Sequence, residues 1–229
     1  MKVLVTGAKG NLGKAIIKYL ELNNVAYYSY SHFQDLTLLE WDVIDIVINC
    51  AGVIPAPSLS YKDYIDGNVD FLNKLIPLAK DVYFVHFSTF SELYKNDQYQ
   101  YSKMLGNSLL IANSDYFRKL DIFPLPTLED SKLIEKISKA ALNFEKPVVD
   151  RLAYNFMTYD AVGFYVVDRL LTNRNVPISK QFVRKDLYDE ICKVVDKELI
   201  IEGELIDRAL EIDGVFHVSK HLITNSGNF

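Results

Sequence analysis

Tyr99 and Lys103 stand four residues apart at the opening of a helical stretch that runs on through Leu105, Leu109, Leu110 and Ile111. That spacing puts both side chains on one helix face, so the ammonium can lie beside the phenol. A free tyrosine titrates near ~10, and a neighbouring cation favours its charged form and lowers that value. Tyr99 becomes a usable general acid/base. In a chain with 15 tyrosines a lone Tyr-x-x-x-Lys arises by chance, and Tyr101 is a neighbour easily mistaken for the working residue. Weight therefore falls on what accompanies the pair. Ser88 and Thr89 put two hydroxyls at the end of the apolar run Val82–Phe87, on the edge where open α/β sheets bind ligands.

The second chemical element is Thr6-Gly7-Ala8-Lys9-Gly10-Asn11-Leu12-Gly13, between the apolar run Val3–Val5 and an amphipathic helix. A strand that turns into a helix through three glycines can bind a pyrophosphate with its N–H groups and the positive helix end. Gly7 suits the tight turn, Gly10 lets backbone approach phosphate, and Gly13 lets the helix lie close on the strand. It is not a P-loop, since Ala15 follows Gly13-Lys14 and offers no hydroxyl for magnesium.

Those residues need a framework, and the pattern supplies a doubly wound α/β sheet. Val25–Tyr30 reads as the second strand and ends in Ser29-Tyr30-Ser31-His32. Without the acidic residue that meets the ribose of NAD, and with Lys9 and His32 near the strand end, NADP is favoured over NAD. The short connection from Ser31 to Asp42 leaves room only for a turn around Leu36–Leu39. The next strand, Val43–Asn49, runs into Cys50-Ala51-Gly52, small residues suited to a passing dinucleotide. Tyr61–Lys80 has helical spacing, with Asn68 in its middle to bond a backbone carbonyl, bridge a water or face solvent. Beyond Thr127, helical spacing recurs over Leu128–Phe144, Ala161–Leu171, Lys185–Asp196 and Glu204–Ile212. These are expected to supply one outer helix and a small lobe facing the substrate.

With 229 residues, the chain suits one Rossmann-like domain, its lobe falling roughly within residues 125–229. A net charge of -5 with interspersed signs argues against a nucleic-acid face. Cys50 and Cys192 form no metal spacing with the histidines and read as buried free thiols in a reducing compartment. Met1 leads directly into a strand, leaving no room for a signal peptide, and no apolar run approaches the ~20 residues of a membrane span. A cytoplasmic location, a small-molecule substrate and no bound metal are expected.

In this order, the glycine turn, Asn49-Cys50-Ala51-Gly52, the helix around Asn68, Phe87-Ser88-Thr89 and Tyr99–Lys103 resemble the extended short-chain dehydrogenase/reductase superfamily. The likeness is strongest to its NAD(P)-dependent epimerases, dehydratases and reductases of nucleotide sugars. Ser114–Leu120 resembles the family's next strand, Asn155–Val162 a further segment, and Phe182–Val195 its later amphipathic helix. The resemblance implies Tyr99 as acid/base, Lys103 as its perturbant and as a ribose ligand, and Thr89, with Ser88 as alternative, as the hydroxyl on the substrate oxygen. It implies Asn68 as support for an active-site water or the lysine. Gly7, Lys9, Gly10, Asn11, Leu12, Gly13, Ser31, His32, Cys50, Ala51 and Gly52 would line the cofactor. A homodimer through the helices around Asn68 and Tyr99 follows by the same analogy. Departures are the short chain, the compressed loop from Thr89 to Tyr99, and Thr158-Tyr159 in place of the usual His-Val. Arg151, Arg174 and Arg184 could meet a diphosphate, and Glu92 could be an extra carboxylate. Two other readings stay open: a reductase of a smaller carbonyl compound, and a dinucleotide-binding sensor or scaffold without turnover.

Overall fold

Val3, Leu4, Val5 and Thr6 are sealed from solvent, and a run buried on both sides is what a central parallel strand requires. They form β1 (Lys2–Thr6) in a computed structural model that describes residues 1–31, 34–56, 58–89, 97–128, 138–139, 148–174, 176–193, 200–208 and 216–218. β1 pairs in parallel with β2 (Ala26–Tyr30) on one side and β3 (Ile46–Asn49) on the other. β4 (Tyr83–Thr89) lies beside β3, and β5 (Lys119–Leu125) beside β4, again in parallel. The strand order is β2-β1-β3-β4-β5, closed by Phe216–Val218 running antiparallel to β5. The order reverses between β1 and β3, the switch point at which such sheets bind ligands.

Alternation along the strands divides the core. Leu4, Val47, Phe84, Leu120 and Ile122 face the helix segments carrying Leu72, Leu75 and Leu110, in one apolar cluster. Full burial of each such side chain contributes about 1.5–3 kcal/mol. Asp121 and Phe123 point to the opposite face. There Arg169, on the helix Tyr159–Thr172, bonds the Asp121 carboxylate at 3.2 Å, and Tyr165 meets Phe123 edge-on. That helix also packs on α1 (Asn11–Leu22), with Lys18 and Tyr19 both bonded to Asp160. Helices thus cover both faces, and the sheet is Rossmann-like, as expected.

Local boundaries depart from expectation where the turn chemistry is subtle. The β2–β3 crossover is two 3-10 turns, Leu36–Leu38 capped by Asp35 and Trp41–Val43, so β3 begins at Ile46 rather than Val43. Residues 61–80 are not one regular helix. α2 (Tyr61–Ile65) opens on a Ser60–Asp63 capping box, a π-helical turn follows over Asp66–Asp70, and α3 (Phe71–Leu75) resumes. α4 (Gln98–Ala112) ends in a 3-10 turn at Ser114–Tyr116, which delays β5 to Lys119. The Tyr159–Thr172 helix is α5.

The chain divides into two compact units: residues 1–125, 159–176 and 214–229 in the first, 126–158 and 177–213 in the second. In the second unit β7 (Val148–Met157) is central. It pairs in parallel with β6 (Thr127–Leu128) and with Ile200–Arg208, and antiparallel with β8 (Val183–Asp186). A short α6 (Leu187–Cys192) packs Leu187 and Ile191 on Tyr154. Three helical expectations change here. Leu128 ends a strand, Lys185 and Asp186 belong to β8, and Glu204–Arg208 lie in β9 (Ile200–Arg208), because pairing with β7 satisfies their backbone. Residues 129–137, 140–147, 194–199 and 209–212 lie outside the described residues. Cys192 is exposed, not buried as expected, and both cysteines are free. No helix among the described residues is long and apolar enough to cross a membrane.

Candidate active site

The glycine turn fits a diphosphate for reasons of space. Gly7 has φ +65°, and a Cβ there would lie 2.6 Å from the Ala51 nitrogen and from the Cys50 carbonyl, so only glycine fits. A Cβ on Gly13 would sit 2.4 Å from the Gly7 carbonyl oxygen, which brings the start of α1 hard against the turn. The Gly10 amide donates to the Gly7 carbonyl at 2.9 Å and closes the turn, and a Cβ on Gly10 would lie 3.3 Å from that same oxygen. Gly10 is also the residue that caps α1, and it brings no side-chain cap to the amides of the first turn. A ligand anion can take that role. Lys9 and Asn11 are exposed beside the turn, and Leu12 is half-buried.

The β3 end closes the same corner. Cys50 and Ala51 are half-buried and Gly52 is exposed. Burial pushes the Cys50 thiol well above its ordinary value, so it stays neutral. At the β2 end, the Ser31 amide donates to the Gln34 side chain at 2.7 Å. Asp35, a few residues on, is committed to Thr37, whose hydroxyl and amide hold its carboxyl below the usual range. His32 and Glu92 lie outside the described residues.

α4 begins when Asp97 accepts a bond from the Gln100 amide at 3.0 Å, the N-cap that starts the helix just before Tyr99. Tyr99 is half-buried and meets the Tyr64 ring edge-on at 6.0 Å, whereas Tyr101 is exposed. This separates the two tyrosines that the sequence left side by side. One turn on, Lys103 is buried and its ammonium donates to the Phe87 carbonyl of β4 at 2.6 Å. The cation is thereby anchored at the strand end that carries Ser88 and Thr89. Ser88 is buried, its hydroxyl accepting from the Asn107 side chain at 2.7 Å, while Thr89 closes the strand half-buried.

Asn68 lies in the π-helical turn, the kind of irregularity that recurs at functional sites. Its carboxamide accepts from the Val53 amide at 2.9 Å and donates to the Val53 carbonyl at 3.1 Å and the Ser102 hydroxyl at 2.9 Å. Ser102 in turn donates to the Tyr99 carbonyl at 2.7 Å. The side chain therefore ties the strand-end loop to the first turn of α4. Ser102, Asn107 and His86 were missed by sequence reasoning. A signal existed only for His86, a polar residue near the carboxyl end of an otherwise apolar strand, whereas Ser102 and Asn107 lie within α4. Arg174 and Arg184 are exposed. Among the described residues no group of three or more His, Cys, Asp or Glu is arranged to hold a metal.

No protein-family model matches the chain, and no curated protein matches it in sequence. Solved structures match its fold. UDP-glucuronic acid 4-epimerase from Bacillus cereus, in complex with NAD, is 17% identical over 93% of this chain and 88% of its own, with TM-score 0.69. A short-chain dehydrogenase/reductase superfamily protein from Agrobacterium tumefaciens with bound NAD is 14% identical over 91% and 88%, with TM-score 0.65. RMD from Pseudomonas aeruginosa, complexed with NADPH, is 16% identical over 92% and 90%, with TM-score 0.64. The fold of this chain is therefore the Rossmann-like fold that these solved structures share.

Proposed function

We propose that the protein is an NAD(P)-dependent enzyme that interconverts carbonyl and hydroxyl at a carbon of a nucleotide-linked sugar. The observation that carries this reading is the buried Lys103 ammonium, held on the Phe87 carbonyl one turn from Tyr99 and beside the Ser88–Thr89 strand end. A nicotinamide ring, when bound, supplies or accepts the hydride. Tyr99 exchanges the proton with the substrate oxygen, and Lys103 biases the phenol toward its charged form. Thr89 donates to the same oxygen, with Ser88 holding α4 through Asn107. The crowded Gly7 and Gly13 positions and the α1 start hold the diphosphate, with Lys9, Asn11, Leu12, Cys50, Ala51 and Gly52 around it.

NADP is favoured, on the Ser29–Ser31 strand end and the engagement of Asp35 by Thr37. The matched folds support a nicotinamide dinucleotide of either kind, being complexed with NAD or with NADPH. A two-fold pairing through α4, whose outer face exposes Tyr101, Met104, Leu105 and Ile111, belongs to the same reading and is checked by sedimentation.

Thermal shift with UDP-, GDP-, CDP- and dTDP-sugars in the presence of NADP tests the substrate class. One nucleotide series is expected to raise the midpoint by mass action. Silence across all of them contradicts the sugar assignment and favours a smaller carbonyl substrate. Binding of dinucleotide with no turnover of any carbonyl compound favours a sensor.

A further inference from the structure

Three buried polar side chains on neighbouring strands form a row to which the reading above gives no role. Thr6 closes β1, Asn49 closes β3, and His86 lies opposite Asn49 on β4; they are 0%, 1% and 2% exposed. The Thr6 hydroxyl donates to the Asn49 carboxamide oxygen, which leaves the Asn49 amide to donate to His86 Nδ1 at 3.0 Å. This direction fixes the imidazole tautomer, with the proton on Nε2. Burial first, and the Lys103 charge second, hold His86 well below its ordinary value, so the ring is neutral. Only a neutral ring can accept from Asn49.

The row lies where the ligand crevice must open. The Thr6–Asn49 bond spans β1 and β3, the pair at which the strand order reverses. Thr6 immediately precedes Gly7, Asn49 precedes Cys50-Ala51-Gly52, and His86 precedes Phe87, whose carbonyl anchors Lys103. Each member thus sits one residue below a part of the proposed site. A displacement of about 1 Å between reacting groups costs on the order of a hundredfold in rate, so the spacing of these strand ends matters.

Resting on the function proposed above, we propose that His86 is a positioning residue: through Asn49 and Thr6 it ties β4 to β1 and sets the distance between the dinucleotide turn and the Lys103–Thr89 edge. Two variants of nearly equal size test it. His86→Asn keeps an acceptor where Nδ1 lay, and His86→Leu does not. NADPH and NADH affinities are measured by fluorescence titration, alongside the apo melting midpoint. His86→Leu is expected to bind dinucleotide about tenfold more weakly, because the Asn49 donor is left buried without an acceptor. His86→Asn is expected to stay within about threefold of wild type on the same argument. Thr6→Val cuts the far end of the row and carries the test if His86→Leu does not fold; weaker dinucleotide binding is again expected. A merely structural role would lower the melting midpoint and leave the affinities of the folded variants together. Equal affinity in wild type, His86→Leu and Thr6→Val overturns the inference alone. A wild-type protein that binds neither dinucleotide overturns the functional reading, and this inference with it.

Discussion

The two ends of β4 are built on different electrostatic plans. At the amino end, Tyr83 and Arg169 converge on the buried Asp121 carboxylate, and Lys119 lies 3.4 Å from it. Arg169 also donates to the Arg174 carbonyl at 3.1 Å. Two cations and a phenol share one carboxylate there, and the Arg169 contact fastens α5 to the sheet. At the carboxyl end the side chains are neutral, Thr6, Asn49, His86 and Ser88, and the ammonium of Lys103 rests on a backbone carbonyl. The first end fastens a helix to the sheet, and the second sets an ammonium on the strand end that carries Ser88 and Thr89.

The largest effects should divide along that line. Lys103→Met is expected to reduce turnover by a factor on the order of a hundred or more, the scale of losing acid/base activation, and to weaken dinucleotide binding while leaving the fold intact. Asp121→Asn should do the converse. With Arg169 left buried and unmatched, chemical denaturation should register a loss of about 3–5 kcal/mol, while dinucleotide affinity per folded molecule stays unchanged. A smaller effect is expected for Gly13→Ala. Its Cβ must displace the Gly7 carbonyl, an overpacking that costs about 1–3 kcal/mol, and dinucleotide titration should register it more than the melting midpoint does.

The pH dependence sharpens the contrast further. His86 is held below 6.5 in the fold, so the unfolded chain binds more protons between the folded value and 6.5. The His86 contribution to stability should fall as pH drops through that window and be constant above it, and His86→Asn should remove that part of the slope. The smallest effect belongs to the exposed Lys62–Asp66 pair, where Lys62→Ala should leave the midpoint within error.

The glycine turn, the parallel strands and α4 were legible because each is written locally: glycines at a crowded turn, apolar runs, a helical repeat. The π turn was not, since Asn68 and Gly67 leave the apolar spacing of residues 61–80 nearly intact and only the bonds to Val53 and Ser102 reveal it. The Asp121–Arg169 pair joins residues 48 apart, which no local pattern reports. In the second unit, Glu204–Arg208 looks helical in isolation, and parallel pairing with β7 overrides that preference. Within the candidate site, Tyr99, Lys103 and Gly7 were readable from type and spacing. The capture of Ser88 by Asn107 is decided by a neighbour 19 residues away.

The central claim is that the Tyr99 phenol moves the proton, and single-turnover kinetics of Tyr99→Phe tests it most directly. NADPH oxidation is followed with the keto-sugar nucleotide that the thermal screen selects. The account predicts a fall in rate of at least about a hundredfold with NADPH affinity unchanged, and no comparable fall for Tyr101→Phe. A Tyr99→Phe protein that turns over at the wild-type rate would contradict it.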